Sequence, residues 1–181
     1  MFSFHRLLVP YLAVVRNRRY FPLWLGQLVS SLGDTLNYIA LVIYVYQLTG
    51  SGFDLSKLSL FQIIPILLIA PLAGVIIDRF PRKRVLIAAD VARAVLMLAL
   101  ALAPNVESIY VIAVLVAVAT TFFRPTVQAV IPALVAASEL LAANSVAWST
   151  EQLLQIIGSA VAGGILLLVG PQSASGFDAG T

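Results

Sequence analysis

Long apolar runs, separated by short polar segments, follow one another along almost the whole chain. Residues 58–77 form a run of 20 without a charged side chain, and about 20 helical residues cross a bilayer core of about 30 Å. Similar runs with only isolated charges predict five membrane-spanning helices, over residues 22–48, 58–78, 85–104, 108–133 and 141–169. The pattern therefore predicts an all-α, polytopic membrane protein.

The two ends of the chain differ from this pattern. In residues 1–20, apolar side chains alternate with basic ones, which is typical of a short helix that lies on the membrane surface. We therefore predict an interfacial N-terminal segment over residues 1–20 and a transmembrane helix bundle over residues 21–181. Five spans are an odd number, and residues 176–181 look like the approach to another helix. The bundle is therefore expected to be incomplete, truncated before a sixth span.

The composition excludes several other classes of protein. Hydrophobic residues make up 61% of the chain and charged residues 10%, whereas soluble domains have about 45–50% and about 25%. Disordered chains are poor in apolar residues, so disorder is excluded as well. There is no cysteine, and His5 is the one histidine. We therefore expect no metal, no cofactor and no cysteine-based chemistry.

The basic residues are distributed unevenly between the two sides of the predicted membrane. Four precede the first span and four lie between the second and third spans: Arg6, Arg16, Arg18 and Arg19, then Arg79, Arg82, Lys83 and Arg84. The other side has Lys57 alone. Cytoplasmic loops carry an excess of Lys and Arg, so the N-terminus is predicted to be cytoplasmic, in the cell (inner or plasma) membrane. These cations flank apolar runs, which points to topology and not to a nucleic-acid partner.

Asp34 is a charge deep within the first span. It lies 12 positions beyond Pro22, about 18 Å along a helix. A carboxylate at mid-membrane costs at least about 2.5–3.5 kcal/mol, so it tends to face a cavity or a partner. The first span offers Asp34 no cation, so it is expected to stand alone. We interpret it as a candidate for coupling transport to a proton or sodium ion, the alternative being a hydrogen-bonded structural aspartate.

Four further charges lie within the later spans. Asp90 and Arg93 are three positions apart and can share one helix face, while Arg124 and Glu151 belong to the cytoplasmic halves of the fourth and fifth spans. Together with Asp78 they are predicted to form an ion-pair network. Such a network either locks the helices together or acts as a gate.

The loop between the second and third spans carries the most specific motif, Gly74-Val-Ile-Ile-Asp78-Arg79-Phe-Pro-Arg82-Lys83-Arg84. Gly74 would let a neighbouring helix approach closely, and Asp78 can accept hydrogen bonds from a helix N-terminus or pair with an arginine. A basic loop by itself would be only a topology anchor. Gly74 and Asp78, at fixed spacing before the basic residues, favour a more specific role for this loop.

These residues resemble the G-x-x-x-D-R-x-x-R-K loop of the major facilitator superfamily, which also lies between the second and third helices. Other segments agree: Trp24-Leu-Gly-Gln-Leu-Val-Ser-Ser-Leu-Gly-Asp34, Ala89-Asp90-Val-Ala-Arg93, Phe122-Phe-Arg124-Pro125 and Leu141-Ala-Ala-Asn144-Ser145. Together they resemble the branch that contains enterobactin exporters and macrolide-efflux proteins. The resemblance implies the N-terminal half-bundle of that fold, with about five of the family's twelve helices, and a conformational gating role for Gly74, Asp78, Arg79, Arg82 and Lys83.

The fifth span contains Gly158-Ser-Ala-Val-Ala-Gly163-Gly164, which resembles the antiporter motif of this family. Ser159 stands where the motif usually has proline, which weakens antiport as an inference. Small residues still permit close helix packing. We therefore expect Gly158, Gly163 and Gly164 to pack against another helix.

The leading hypothesis is a secondary transporter, a proton-coupled exporter of a drug-like or siderophore-like small molecule that works by alternating access. Its partners would be that cargo, protons, the lipid bilayer and the remaining helices of a full-length transporter. One alternative is a five-helix fragment without transport activity of its own. The other, a membrane-embedded enzyme, would need clustered carboxylates or a nucleophile at one depth, so the chain is not expected to be an enzyme and no residue is assigned as catalytic.

Overall fold

The computed structural model describes residues 4–169, and every regular element in that range is helical. The α-helices are α1 (Phe4–Arg16), α2 (Phe21–Thr49), α3 (Gly52–Arg79), α4 (Arg82–Leu100), α5 (Val106–Val130) and α6 (Leu140–Val169), with short 3₁₀ turns at Ile131–Ala133 and Ala137–Glu139. The all-α prediction is confirmed. Residues 176–181, interpreted from sequence as the approach to another helix, lie outside the described residues.

Within residues 4–169, three helical segments are long and apolar enough to cross a membrane: Phe21–Thr49, Gly52–Arg79 and Val106–Ala133. They coincide with the first, second and fourth spans predicted from sequence. The third and fifth predicted spans fall on α4 and α6, and their membrane crossing stays a prediction. The division of the chain at residue 20 likewise stays a prediction.

Local sequence signals explain where the helices begin and end. Gly50 adopts a left-handed conformation with φ of 61°, and its N–H donates to the carbonyl of Tyr46, which closes α2. The side chain of Asn105 accepts a hydrogen bond from the N–H of Ser108 at 2.9 Å and caps the start of α5. At Phe80 the backbone is extended because Pro81 follows, so α3 ends at Arg79.

Helix α5 is the centre of the bundle. It packs against both α3 and α4, while α2 packs against α6. Its buried positions recur at helical spacing: Ile109, Ile112, Ala113, Val116, Ala117, Thr121, Phe123, Thr126 and Val127. These buried residues cover a broad part of the helix surface because α5 packs against other helices on several sides.

The apolar core is divided into two clusters at opposite ends of the bundle. One contains Leu41 of α2 and Leu100 of α4, and the other contains Tyr20 before α2 and Ala89 of α4. On both helices the charged residues, Asp34 and Arg93, lie between the two clusters. The polar centre of the bundle is therefore enclosed by apolar packing at both ends.

The N-terminal helix is docked onto the bundle. Val14 of α1 is fully buried, and α1 packs against α6. The hydroxyl of Tyr20 donates a hydrogen bond to the carbonyl of Ala143 at 2.8 Å, and burial raises the pKa of Tyr20 to about 12. These contacts connect the segment before α2 to the beginning of α6.

Candidate functional site

An ion pair between α2 and α4 lies at the centre of the bundle. The Arg93 Nη1 atom is 2.5 Å from Oδ2 and 2.7 Å from Oδ1 of Asp34, and the Arg93 side chain is only 6% exposed. The expectation that Asp34 stands alone is therefore wrong. That expectation rested on the charges of the first span alone, whereas the partner of Asp34, Arg93, lies 59 positions further along the chain.

Arg93 also binds a second carboxylate. Its Nη2 atom pairs with Asp90 and donates to Ser30 Oγ at 2.6 Å, and Ser30 Oγ in turn donates to Asp90 Oδ1 at 2.8 Å. The guanidinium lies over the ring of Phe123, 4.3 Å from its centroid, a favourable cation–π geometry. The trio of Asp34, Arg93 and Asp90 thus places two carboxylates around one cation.

A second ion pair joins α5 to α6. Arg124 Nη2 pairs with Glu151 Oε1, and the arginine side chain is 57% exposed while that of the glutamate is 19% exposed. The four intramembrane charges expected to form one network are thus arranged as two separate ion-pair groups. Asp34, which the sequence analysis kept apart from them, belongs to the first group.

Asp78 does not belong to this network. It is exposed near the end of α3, and it makes no ion pair with any residue in the described range. The reason is its position: Asp78 lies at the end of α3, whereas Asp34 and Arg93 occupy the middle of their helices. In the same loop, Arg82 Nη1 donates to the carbonyl of Ala129 at 2.6 Å, which ties the loop to the end of α5. Arg79 and Lys83 are exposed beside it.

The glycines of the two motifs differ in their surroundings. A Cβ atom built at Gly158 would collide with Cγ2 of Thr35, so α2 and α6 approach each other closely there. At Gly74, Gly163 and Gly164, a Cβ would meet no atom within 4 Å in the described part of the chain. The close packing expected at these three positions is therefore not made by described residues.

The charged groups border two cavities. One, of about 390 Å³, is lined by α2, α3, α5 and α6 and includes Asp34, Arg124 and Glu151. The other, of about 640 Å³, includes the same three residues and continues along α5 and α6 as far as Ile131 and Asn144. Asp34 therefore lies where the two cavities meet, and the buried Arg93 keeps its carboxylate in place through two hydrogen bonds.

Several polar residues of the first cavity were missed by the sequence reasoning: Asn37, Gln62, Thr120 and Gln155. A signal for this face exists on α2, where Ser31, Asp34, Thr35 and Tyr38 all line the cavity. Their spacing of i, i+3, i+4 and i+7 is that of one helix face. This polar face inside an apolar span indicates where α2 meets the cavity.

An apolar helical bundle that holds ion pairs and polar cavities between its helices defines an integral membrane protein with an internal polar site. The chain matches the Major Facilitator Superfamily over residues 23–181. It therefore belongs to that family of membrane transporters, as the motifs had indicated.

Two relatives are named in part by their function. The chain is 30% identical to macrolide efflux protein A of Streptococcus pyogenes over 149 residues, which cover 80% of this chain and 37% of that protein. It is 26% identical to the uncharacterized MFS-type transporter YfiS of Bacillus subtilis (strain 168) over 142 residues, 78% of this chain and 34% of that protein. The chain thus spans little more than a third of the length of these relatives. No solved structure matches it.

Proposed function

We propose that this chain is part of a secondary active transporter that exports a small molecule in exchange for protons. Membership of the Major Facilitator Superfamily supports membrane transport, and the name of the streptococcal relative supports efflux of a macrolide-like, drug-like cargo. Because the chain spans 37% of that relative, the activity is proposed for the complete gene product that contains it. The N-terminus is cytoplasmic and the protein lies in the cell membrane.

The observation that carries the coupling proposal is the trio of Asp34, Arg93 and Asp90 at the edge of the cavity. One guanidinium neutralises one carboxylate, so the trio keeps a formal charge of −1 when both carboxylates are ionised. A proton on Asp34 removes that excess charge and weakens its attraction to Arg93. Because Asp34 belongs to α2 and Arg93 to α4, protonation changes the strength of a contact between two helices.

Proton exchange also requires access to water, and the geometry provides for it. Asp34 lies where two cavities meet, whereas Arg93 is buried. The carboxylate therefore exchanges protons with the cavity while the guanidinium holds it in place. In an alternating-access cycle, the two sides of the membrane reach this carboxylate in turn.

The test is transport by the complete gene product in liposomes with an imposed pH gradient and erythromycin as the cargo. Asp34→Asn keeps the size of the side chain and removes its titration. We expect it to abolish gradient-driven accumulation while leaving downhill exchange of erythromycin. The matched control is Asp54→Asn, because Asp54 pairs with Lys57 at the beginning of α3, away from the cavity.

The outcomes separate the parts of the proposal. Wild-type accumulation that does not depend on the pH gradient contradicts proton coupling, and a sodium gradient then tests the other ion. Undiminished accumulation by Asp34→Asn shows that coupling lies elsewhere in the protein.

The family resemblance also supports a conformational gating role for the loop after α3, carried by Gly74, Asp78, Arg79, Arg82 and Lys83. The hydrogen bond from Arg82 to the carbonyl of Ala129 supports this role, because it ties the loop to the end of α5.

A further inference from the structure

A third cavity lies on the side of α5 that faces away from Asp34. It has a volume of about 710 Å³, within the range of about 300–1,000 Å³ that holds one small ligand. Four residues of α5 line it at the spacing of one helix face: Leu115, Val118, Ala119 and Phe122. Ala113 and Ala117, which line the cavity beside Asp34, belong to the opposite face of the same helix. We call this third cavity, between α4 and α5, the lateral groove.

Small side chains line the α4 side of the lateral groove. Ala88 and Ala92 are four positions apart, so they follow each other on one helix face, and both are exposed. Their short side chains leave the space that larger apolar residues would fill. Along α4 the lining runs from Arg84 to Leu96, a rise of about 18 Å. One leaflet contributes about 15 Å to a bilayer core of about 30 Å, so the lateral groove is long enough for one acyl chain.

The lateral groove carries its charge at one end. Arg84 is the one charged residue among the described residues that line it, and it lies in the first turn of α4, beside the loop predicted to be cytoplasmic. Arg84 is exposed and makes no ion pair within the part of the chain that the structure describes. Residues 78–84 contain four cations and one carboxylate, so this end attracts an anion.

This distribution of charge matches a phospholipid. Anionic lipids give the cytoplasmic leaflet a negative surface, and a guanidinium matches the geometry of a phosphate. A lipid of that leaflet brings its phosphate to the membrane surface, next to Arg84, and its acyl chains toward the membrane centre, along the apolar lining. A further helix of the complete gene product would have to bring a carboxylate to Arg84 to achieve the same match.

We propose that the lateral groove binds one anionic phospholipid of the cytoplasmic leaflet, with its phosphate on Arg84 and an acyl chain between α4 and α5. The proposal goes beyond the proposed function, because it needs neither the cargo nor proton coupling. Arg84 lies one position beyond the motif that ends at Lys83, so it is separate from the residues assigned to gating. The bound lipid contacts both helices and therefore stabilises their packing.

The experiment measures the melting temperature of the complete gene product in detergent as dioleoyl phosphatidylglycerol is added. Dioleoyl phosphatidylcholine has the same acyl chains with a zwitterionic headgroup, and inorganic phosphate supplies the anion without the chains. We expect phosphatidylglycerol to raise the melting temperature saturably, and each of the other two to raise it less. Native mass spectrometry should then find one tightly retained phosphatidylglycerol molecule per protein.

Two substitutions test the two ends of the lipid separately. Arg84→Gln should weaken phosphatidylglycerol binding about fivefold, which corresponds to about 1 kcal/mol for one cation near an anionic surface. Ala92→Phe fills the lateral groove and should also weaken binding, whereas Ala94→Phe adds the same bulk at an exposed position of α4 outside the groove. Arg18→Gln removes an exposed cation from the same predicted side of the membrane, in the turn between α1 and α2. Both control variants should keep the wild-type affinity.

The other outcomes contradict the lipid site. Equal stabilisation by phosphatidylglycerol and phosphatidylcholine shows that no headgroup is recognised, and equal stabilisation by inorganic phosphate shows that a free anion is bound instead of a lipid. If no lipid stabilises the wild type, another helix of the complete gene product covers the lateral groove. Wild-type affinity in Arg84→Gln places the lipid elsewhere, and this result decides the question even if Ala92→Phe does not fold. Erythromycin transport is not measured in any of these experiments, so their failure leaves the proposed function untouched.

Discussion

Two arginines in the centre of the bundle have different surroundings. Arg93 is buried, binds both Asp34 and Asp90, and lies over Phe123. Arg124 has one carboxylate partner, Glu151, and exposes 57% of its side chain to the cavity. The sequence predicts that Arg124 belongs to the same network as Arg93. The difference in burial now predicts that the two residues contribute differently to stability.

We expect Arg93→Ala to destabilise the protein by about 1–3 kcal/mol, because it removes a buried guanidinium that binds two carboxylates and Ser30. Arg124→Ala should cost less than Arg93→Ala, since the Arg124 side chain is 57% exposed and has one carboxylate partner, Glu151. Thermal melting of the two variants in detergent measures the difference. If both variants lose the same stability, the ion pair of Arg124 and Glu151 is as buried in the complete protein as the ion pair of Arg93 and Asp34.

The carboxylates around Arg93 allow a related prediction. Asp90→Asn should leave Arg93 paired with Asp34 and reduce the formal charge of the trio from −1 to zero. We therefore expect Asp90→Asn to fold with near wild-type stability, whereas the double variant Asp34→Asn with Asp90→Asn leaves the buried cation unpaired and should destabilise strongly. Melting temperatures of the single and double variants check this, and additive effects would contradict a shared partner.

How much of the site the sequence could predict is clear from these same residues. Each intramembrane charge is visible as a charge in an apolar run, which is why Asp34, Arg93, Arg124 and Glu151 could all be named as candidates. Their pairing could not be predicted, because it depends on which faces of α2, α4, α5 and α6 meet. Asn37 was overlooked for a different reason: an asparagine carries no charge, so it does not interrupt the apolar pattern as Asp34 does.

At the scale of helices, α2 and α6 approach each other closely at Gly158. Gly158 lies directly against Thr35, and a Cβ atom at residue 158 would collide with the Thr35 methyl group unless that group moved. Gly163, on the same helix, faces open space in the described part of the chain. The helices themselves were predictable from apolar run length, whereas this contact required the crossing geometry.

Gly158→Ala should therefore destabilise the bundle by about 1–3 kcal/mol through overpacking. Thr35→Ser removes the methyl group that the new Cβ would meet, so the double variant should recover most of the loss. Gly163→Ala is the matched control and should have a smaller effect. The measurement is again the melting temperature, and a Gly158→Ala variant as stable as Gly163→Ala would contradict the close approach.

The junction between α1 and α2 gives a prediction with a pH dependence. The hydroxyl of Tyr20 is bonded to Ala143, and its pKa is raised from 10.0 to about 12. The pKa of Tyr20 is higher in the folded protein than in the unfolded chain. The stabilisation that its hydroxyl provides is therefore complete below pH 10 and is lost as the pH rises through about 12. Tyr20→Phe should cost about 1 kcal/mol at neutral pH, and the difference from wild type should shrink between these pH values in alkaline melting experiments.

At the scale of the whole molecule, the charge pattern predicts a direction in the membrane. The eight basic residues flanking the first and second spans predict that the N-terminus and the loop after α3 are cytoplasmic. In the structure, Phe80 lies in that loop and Leu102 lies in the turn between α4 and α5, so they are separated by the length of α4. Both side chains are exposed.

The 181 residues contain no cysteine, so a single introduced thiol within them reports on its own position once any cysteine in the rest of the gene product has been replaced. Phe80→Cys and Leu102→Cys each introduce one thiol, at opposite ends of α4. An impermeant maleimide applied to intact cells should label Leu102→Cys and should label Phe80→Cys only after the membrane is permeabilised, because the cation-rich loop does not cross the bilayer. Labelling of Phe80→Cys from outside would invert the orientation. The cytoplasmic assignment of the N-terminus and of the loop after α3 would then be wrong, whereas the direction of proton-driven transport is set by the proton gradient and would not change.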